Sequence, residues 1–147
     1  MLDMRKIHEA YSKRYALCIL CSHGIPETSL HDVFRATVIS KLTYCAPSWS
    51  GACSAADRAK LESFISRCKR LGYCSHNQPS YSQLISDADD SFFKRIISYD
   101  GHILQSLLPD RPAYSVRERT HNKTLISKTT HLNNDDFLIK MLYKDLY

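Results

Sequence analysis

The segment from Ser54 to Gly72, "SAADRAKLESFISRCKRLG", constrains the fold more than any other part of the chain. Leu61, Phe64, Ile65, Cys68 and Leu71 recur at spacings of three and four, the period of an amphipathic helix with one apolar stripe. Ser54 with Asp57 three residues later has the pattern of a capping box. Gly72 supplies a residue free to take the left-handed conformation that closes a helix. A helix of this kind is stable only when its stripe is covered, so the rest of the chain has to provide packing partners.

Those partners have helical signatures as well. Tyr11, Tyr15, Cys18 and Ile19 place a first helix over residues 3–22, ended by Gly24-Ile25-Pro26. Thr28 or Ser29 is the expected cap of a second helix, with Leu30, Val33, Phe34, Thr37, Val38 and Leu42 on one stripe. It stops before "YCAPSWSG", where proline and glycine surround the single tryptophan, Trp49. Tyr81, Leu84 and Ile85 form a short helical pattern that leads into a longer one carrying Phe92, Phe93, Ile96 and Ile97, interrupted at Asp100-Gly101. A further short turn, "HILQSLL", precedes Pro109. Residues 109–134 are polar and without a stripe, and Asn133 or Asn134 is expected to cap a last helix holding Phe137, Leu138, Met141 and Leu142. No segment carries a convincing strand-pairing signal. The expectation is a small all-α domain of about five to six helices with an irregular extended segment before the last one. The chain divides on this reading into a helical region, 1–108, and a tail with its C-terminal helix, 109–147.

A chain of 147 residues, 44% of them hydrophobic, is sufficient for one modest core. Its formal charge of +5 is uneven: residues 1–75 hold 11 Lys/Arg against 6 Asp/Glu, and residues 76–147 hold 9 against 9. The excess lies wholly in the first half, which permits a polyanionic partner. The N-terminal "MLDMRKIHEAYSKRY" is not a secretory signal, and the longest apolar run, "YALCIL", is too short for a membrane span. These features predict an intracellular protein, cytoplasmic or nuclear and not secreted, with no membrane partner. Its six cysteines are then expected to be reduced.

Several stretches taken together resemble a known family. They are "YCAPSWSGACSAADRAKLESFISRCKRLGY", "HILQSLLPDRPAYSVRERTHNKTL" and "NDDFLIKMLYKDLY". The features are Tyr44, Pro47, Trp49 and Gly51; Asp57-Arg58, Leu61-Glu62-Ser63 and Arg67; His102 with Leu107-Leu108-Pro109; Tyr114, Arg117, Arg119 and His121; and Phe137 with Met141-Leu142-Tyr143-Lys144-Asp145. In this order they resemble the C-terminal end of the reverse-transcriptase polyproteins of jockey-like non-LTR retrotransposons. The resemblance implies a parent RNA-directed DNA polymerase whose catalytic aspartates and Mg²⁺ belong to a palm upstream of everything present here. It implies that this chain is the thumb-side region, without a catalytic residue or cofactor of its own, with the palm and fingers of the parent as partners.

"ISDADDSFFKRI" contains Asp87, Asp89 and Asp90 and looks in its letters like a polymerase metal box. Such a box needs a hairpin tip between apolar strands, so that carboxylates clamp two Mg²⁺ ions about 4 Å apart. The flanking residues here have a helical period, so Ser86 with Asp89 is expected to act as a helix cap instead. Cys18-x-x-Cys21-x-His23 and Cys68-x5-Cys74-x-His76 contain enough ligands for a zinc site, but they fall on helices and in an apolar stripe rather than on knuckle turns. No metal site is expected. The nucleic-acid-binding candidates are Arg58, Lys60, Arg67, Lys69 and Arg70, which could lie along an RNA or DNA backbone without reading its sequence. Arg117, Arg119 and His121 join them, projecting to one side if "YSVRERTH" is extended. The competing reading ties those arginines to Asp87, Asp89 and Asp90. Nothing in the chain resembles a nucleophile with its base or a phosphate-cradling glycine loop, so no small-molecule substrate is expected. A free-standing helical interaction module without a nucleic-acid role is the alternative function.

Overall fold

The computed structural model describes residues 3–108 (backbone alone for 3–11), 121, 123–128 and 136–144. Over these residues the chain is all-α, with no strand. The helices are α1 (Asp3–Ser22), α2 (Glu27–Phe34), a π-helical turn (Arg35–Ile39), α3 (Ser40–Thr43), α4 (Ala46–Trp49), α5 (Ala55–Arg70), α6 (Tyr81–Ser98), a 3-10 turn (Ile103–Leu107) and α7 (Phe137–Tyr143). Two compact units divide at Ser86/Asp87, whereas the sequence places the division at 108/109. The described residues beyond 108 are therefore not a separate tail. They share a core with the second half of α6.

In the first unit the Ser54–Gly72 signals act as their chemistry requires. The Ser54 hydroxyl accepts the amide hydrogen of Asp57 at 3.1 Å and donates to Asp57 Oδ2 at 2.7 Å. That hydrogen bond and the one from Lys60 hold the Asp57 carboxyl below its usual range. At the other end Gly72 sits at φ 72°, its N–H donating to Lys69 O and that of Tyr73 to Cys68 O, the paired closure of a Schellman motif. Leu61, Phe64, Ile65 and Cys68 are buried, and α1 packs against α5, α2 and α3. Each fully covered large apolar side chain here contributes about 1.5–3 kcal/mol.

The second helix differs in detail from its expectation. It begins directly after Pro26 with no side-chain cap, so neither Thr28 nor Ser29 has that role. Proline's fixed φ and the chain reversal at Gly24 set the start without a hydroxyl. Leu30, Phe34, Val38 and Leu42 are all buried. In a straight α-helix a spacing of four drifts by about 40° at each step. The π turn between Phe34 and Ser40 is wider, so it cancels part of this drift and returns Val38 and Leu42 to the buried side. After α3, Cys45 takes a left-handed φ of 50° and α4 carries Trp49 into the core, where the indole N–H donates to Tyr44 O at 3.1 Å.

In the second unit Phe93 and Ile96 of α6 pack with Leu108, Met141 and Leu142. Phe92 and Phe137 meet at a tilt of 44°, 5.3 Å between centroids. The helix α6 is continuous from Tyr81, and the hydroxyl of Ser80 accepts Gln83 N at 3.2 Å near its start. Ser86 is therefore inside the helix and not its cap, because the preceding turn is already helical. The expected caps Asn133 and Asn134 lie outside the described residues. The cap of α7 is Asp136, which accepts from Leu138 N at 3.0 Å and Ile139 N at 3.2 Å.

Candidate nucleic-acid interface

Four of the five candidate cations on α5, Arg58, Lys60, Arg67 and Arg70, are exposed, and Lys69 is half-buried. They do not form one stripe. At about 100° per residue, Arg58 and Lys69 lie within roughly 20° of each other around the helix, as do Lys60 and Arg67, and the two pairs are roughly opposite. Each row thus flanks the buried stripe of Leu61, Phe64, Ile65 and Cys68 on its own side, and Arg70 projects from the outer face between the rows.

The acidic residues of α5 are engaged. Asp57 Oδ1 takes a hydrogen bond from Lys60 Nζ at 2.9 Å. Glu62 is half-buried and accepts the amide hydrogen of Ser82 at 3.4 Å. Both partners of the Lys60 pair touch water, so the pair adds little to stability. It leaves the ammonium able to move to another anion.

Beneath this helix several thiols gather where α1 meets the end of α5. Burial pushes the Cys68 thiol up to about 12 and the charge of Cys74 adds to this, while Arg14 and Arg67 pull the other way. Burial also raises Cys74. Tyr73 is raised by burial and by a hydrogen bond with Cys18. Thiols held neutral in this way behave as small apolar residues. All six cysteines are free, and among the described residues no three His, Cys, Asp or Glu side chains are arranged to hold a metal ion.

The aspartates of "ISDADDSFFKRI" are in the middle of α6, with no hairpin about them. Asp89 is 1% exposed and its Oδ2 accepts from Lys140 Nζ at 2.6 Å. Asp90 takes Lys144 Nζ on both oxygens, at 2.6 and 2.7 Å. Each carboxylate is thus neutralised by a lysine of the α7 region. Sequence reasoning missed both lysines, which are separated from their partners by 51 and 54 positions.

His121 does not stand at a surface. It is 6% exposed, its Nδ1 accepts the Lys123 amide hydrogen at 3.2 Å, and its Nε2 lies 3.1 Å from Leu142 O. With Nδ1 accepting, Nε2 carries the proton and donates. The ring also meets Phe93 edge-on at 5.8 Å. Burial and two inward hydrogen bonds remove it from the set of phosphate ligands and make it a strut between two stretches of the chain. Arg117 and Arg119 lie outside the described residues.

Comparison with protein-family models, curated proteins and solved structures finds no match to this chain. No helix among the described residues is long and apolar enough to cross a membrane.

Proposed function

We propose that this chain is the helical region that follows the palm in a non-LTR retrotransposon RNA-directed DNA polymerase, and that it holds template and primer by their backbones without catalysing polymerisation itself. The observation that supports this most directly is α5. Its apolar stripe is fixed in the core, its acidic residues are occupied, and its cations reach solvent. Such a surface binds by neutralising phosphates and releasing counterions, so affinity falls with salt.

The test is titration of an RNA–DNA hybrid with the purified chain at several salt concentrations. A log–log slope near 3 to 4 is expected, about 0.7–0.9 for each phosphate neutralised. No binding, or binding indifferent to salt, removes the proposal as a biochemical activity. The family assignment has a separate check: an in-frame palm encoded immediately upstream of Met1 supports it, and an unrelated promoter with a stop codon there counts against it.

A protein-interaction role is the second reading, and one observation favours it. Tyr99, Ile103 and Leu107 are 63%, 85% and 58% exposed within one short stretch of the second unit. Large apolar side chains in such a position suit a protein partner, whether the palm of the parent or an independent protein. Substituting all three with serine reduces self-association or partner capture on this reading and leaves salt-dependent binding intact.

A further inference from the structure

We infer that α5 enters the groove of a duplex, with its two cationic rows on the two facing strands, and that its preferred ligand is B-form double-stranded DNA. This rests on the backbone-binding part of the reading proposed above, not on its assignment to template and primer, and specifies which nucleic acid the helix fits. A helix lying along a single backbone needs its cations on one side. Here Arg58 and Lys69 occupy one flank, and Lys60 and Arg67 the opposite one. Within a row the cations are about 10 Å apart (Lys60 to Arg67) and about 16 Å apart (Arg58 to Lys69) along the axis. Two rows on opposite sides of one helix match two phosphate chains on opposite walls of a groove.

The face between the rows has the complementary shape. Ala56, Ala59, Ser63 and Ser66 are exposed and short, so the helix backbone can approach a groove floor closely. Arg70, at the end of that face, is exposed and long enough to reach a base edge. The acidic residues oppose this little, since Asp57 keeps its hydrogen bond from Ser54 when Lys60 turns to a phosphate, and Glu62 is held by Ser82. A helix about 10–12 Å across fits a B-form major groove about 12 Å wide. The major groove of an A-form helix is deep and narrow and does not admit it. A single strand has no second wall.

The experiment compares the full chain and its variants on a DNA duplex, an RNA–DNA hybrid of the same sequence and the single DNA strand, at matched salt. The duplex is expected to bind about tenfold more tightly than the other two, a difference read directly from dissociation constants. Arg58→Gln/Lys69→Gln and Lys60→Gln/Arg67→Gln should each lower the duplex salt slope by about 2. Ala59→Phe/Ser63→Phe, which leaves every cation in place, should weaken the duplex about tenfold and the single strand by less than about twofold. These positions are exposed, and thermal melting confirms that each variant is folded. Equal or tighter binding of the hybrid, or a duplex affinity indifferent to the two phenylalanines, overturns groove entry while leaving the backbone-binding proposal standing. Failure to bind any of the three ligands overturns both.

Discussion

Lys140 Nζ lies 2.6 Å from Asp89 Oδ2, a contact in which the carboxylate is 1% exposed and the lysine side chain 44%. The asymmetry determines what each partner needs. The ammonium can return to water, whereas the carboxylate cannot, and its second oxygen is buried without a hydrogen-bond partner. Removing Lys140 therefore leaves an uncompensated buried charge. Lys140→Met is expected to cost about 2–3 kcal/mol, somewhat below the range for two fully buried partners because the lysine is half in solvent. Lys144→Met, whose pair is 30% and 38% exposed, should cost less than about 1 kcal/mol. Urea unfolding of the two variants side by side checks the order; equal costs would refute the asymmetry.

Asp136 accepts two amide hydrogens at the start of α7. Asp136→Ala should lower stability by about 1 kcal/mol, and Asp136→Asn by much less, since asparagine keeps the accepting oxygen. Denaturant midpoints for both variants decide the matter, and a loss of similar size for asparagine would point to charge rather than to the cap.

His121→Ala should cost about 2 kcal/mol or more, because it removes a buried ring and leaves the Lys123 amide and the Leu142 carbonyl without that partner. Nucleic-acid affinity, corrected for the folded fraction, should not change. A weaker, salt-dependent affinity in a fully folded variant would return His121 to the phosphate ligands.

Burial pushes the Cys68 thiol of the folded chain up to about 12, above the ordinary thiol range. A group whose folded value is raised favours folding below its unfolded value and loses that contribution as pH climbs between the two. Stability should thus be insensitive to this residue below about pH 9 and fall from there toward 12, by at most about 1.4 kcal/mol per pH unit for one group. Cys74 and Tyr73 are shifted in the same direction and add to the decline. Melting temperature against pH for the native chain and Cys68→Ala measures it; parallel curves above pH 9 would exclude the thiol as a cause.

These contacts also explain which features the sequence discloses. Helix α5 was readable at both ends, since Ser54, Asp57 and Gly72 act on backbone groups within four residues of themselves, but its stripe was read one residue too far: Leu71 follows the last turn and is exposed. The buried stripes of α6 and α7 were readable for the same reason of period. Ser86 with Asp89 satisfies the capping pattern equally well in its letters, yet a cap forms only where the preceding turn is not helical, and Ser80 had already started α6. The π turn after Phe34 leaves no mark in composition. It is visible only as a spacing of four sustained from Leu30 to Leu42. At the candidate interface, exposure of the α5 cations followed from their place outside the stripe, but their separation into two rows needed the helix to be laid out residue by residue. The burial of His121 and the lysine partners of Asp89 and Asp90 depend on contacts across 21 to 54 positions, which no local pattern encodes.

Asp89 and Asp90 are neighbours on α6, while Lys140 and Lys144 are a full turn apart at the end of the chain. The two pairs can be made together in only one alignment. Sliding the later segment by a turn brings Lys144 to Asp89 and strands both Lys140 and Asp90, and rotating it by one residue offers apolar side chains to a buried carboxylate. Apolar packing among Phe93, Ile96, Met141 and Leu142 is non-directional and specifies that alignment less sharply than the two ion pairs do. The acidic pair that imitates a catalytic box thus works as a vernier scale: whatever it adds to the strength with which the last helix is held, it favours the one docking in which both carboxylates meet a lysine.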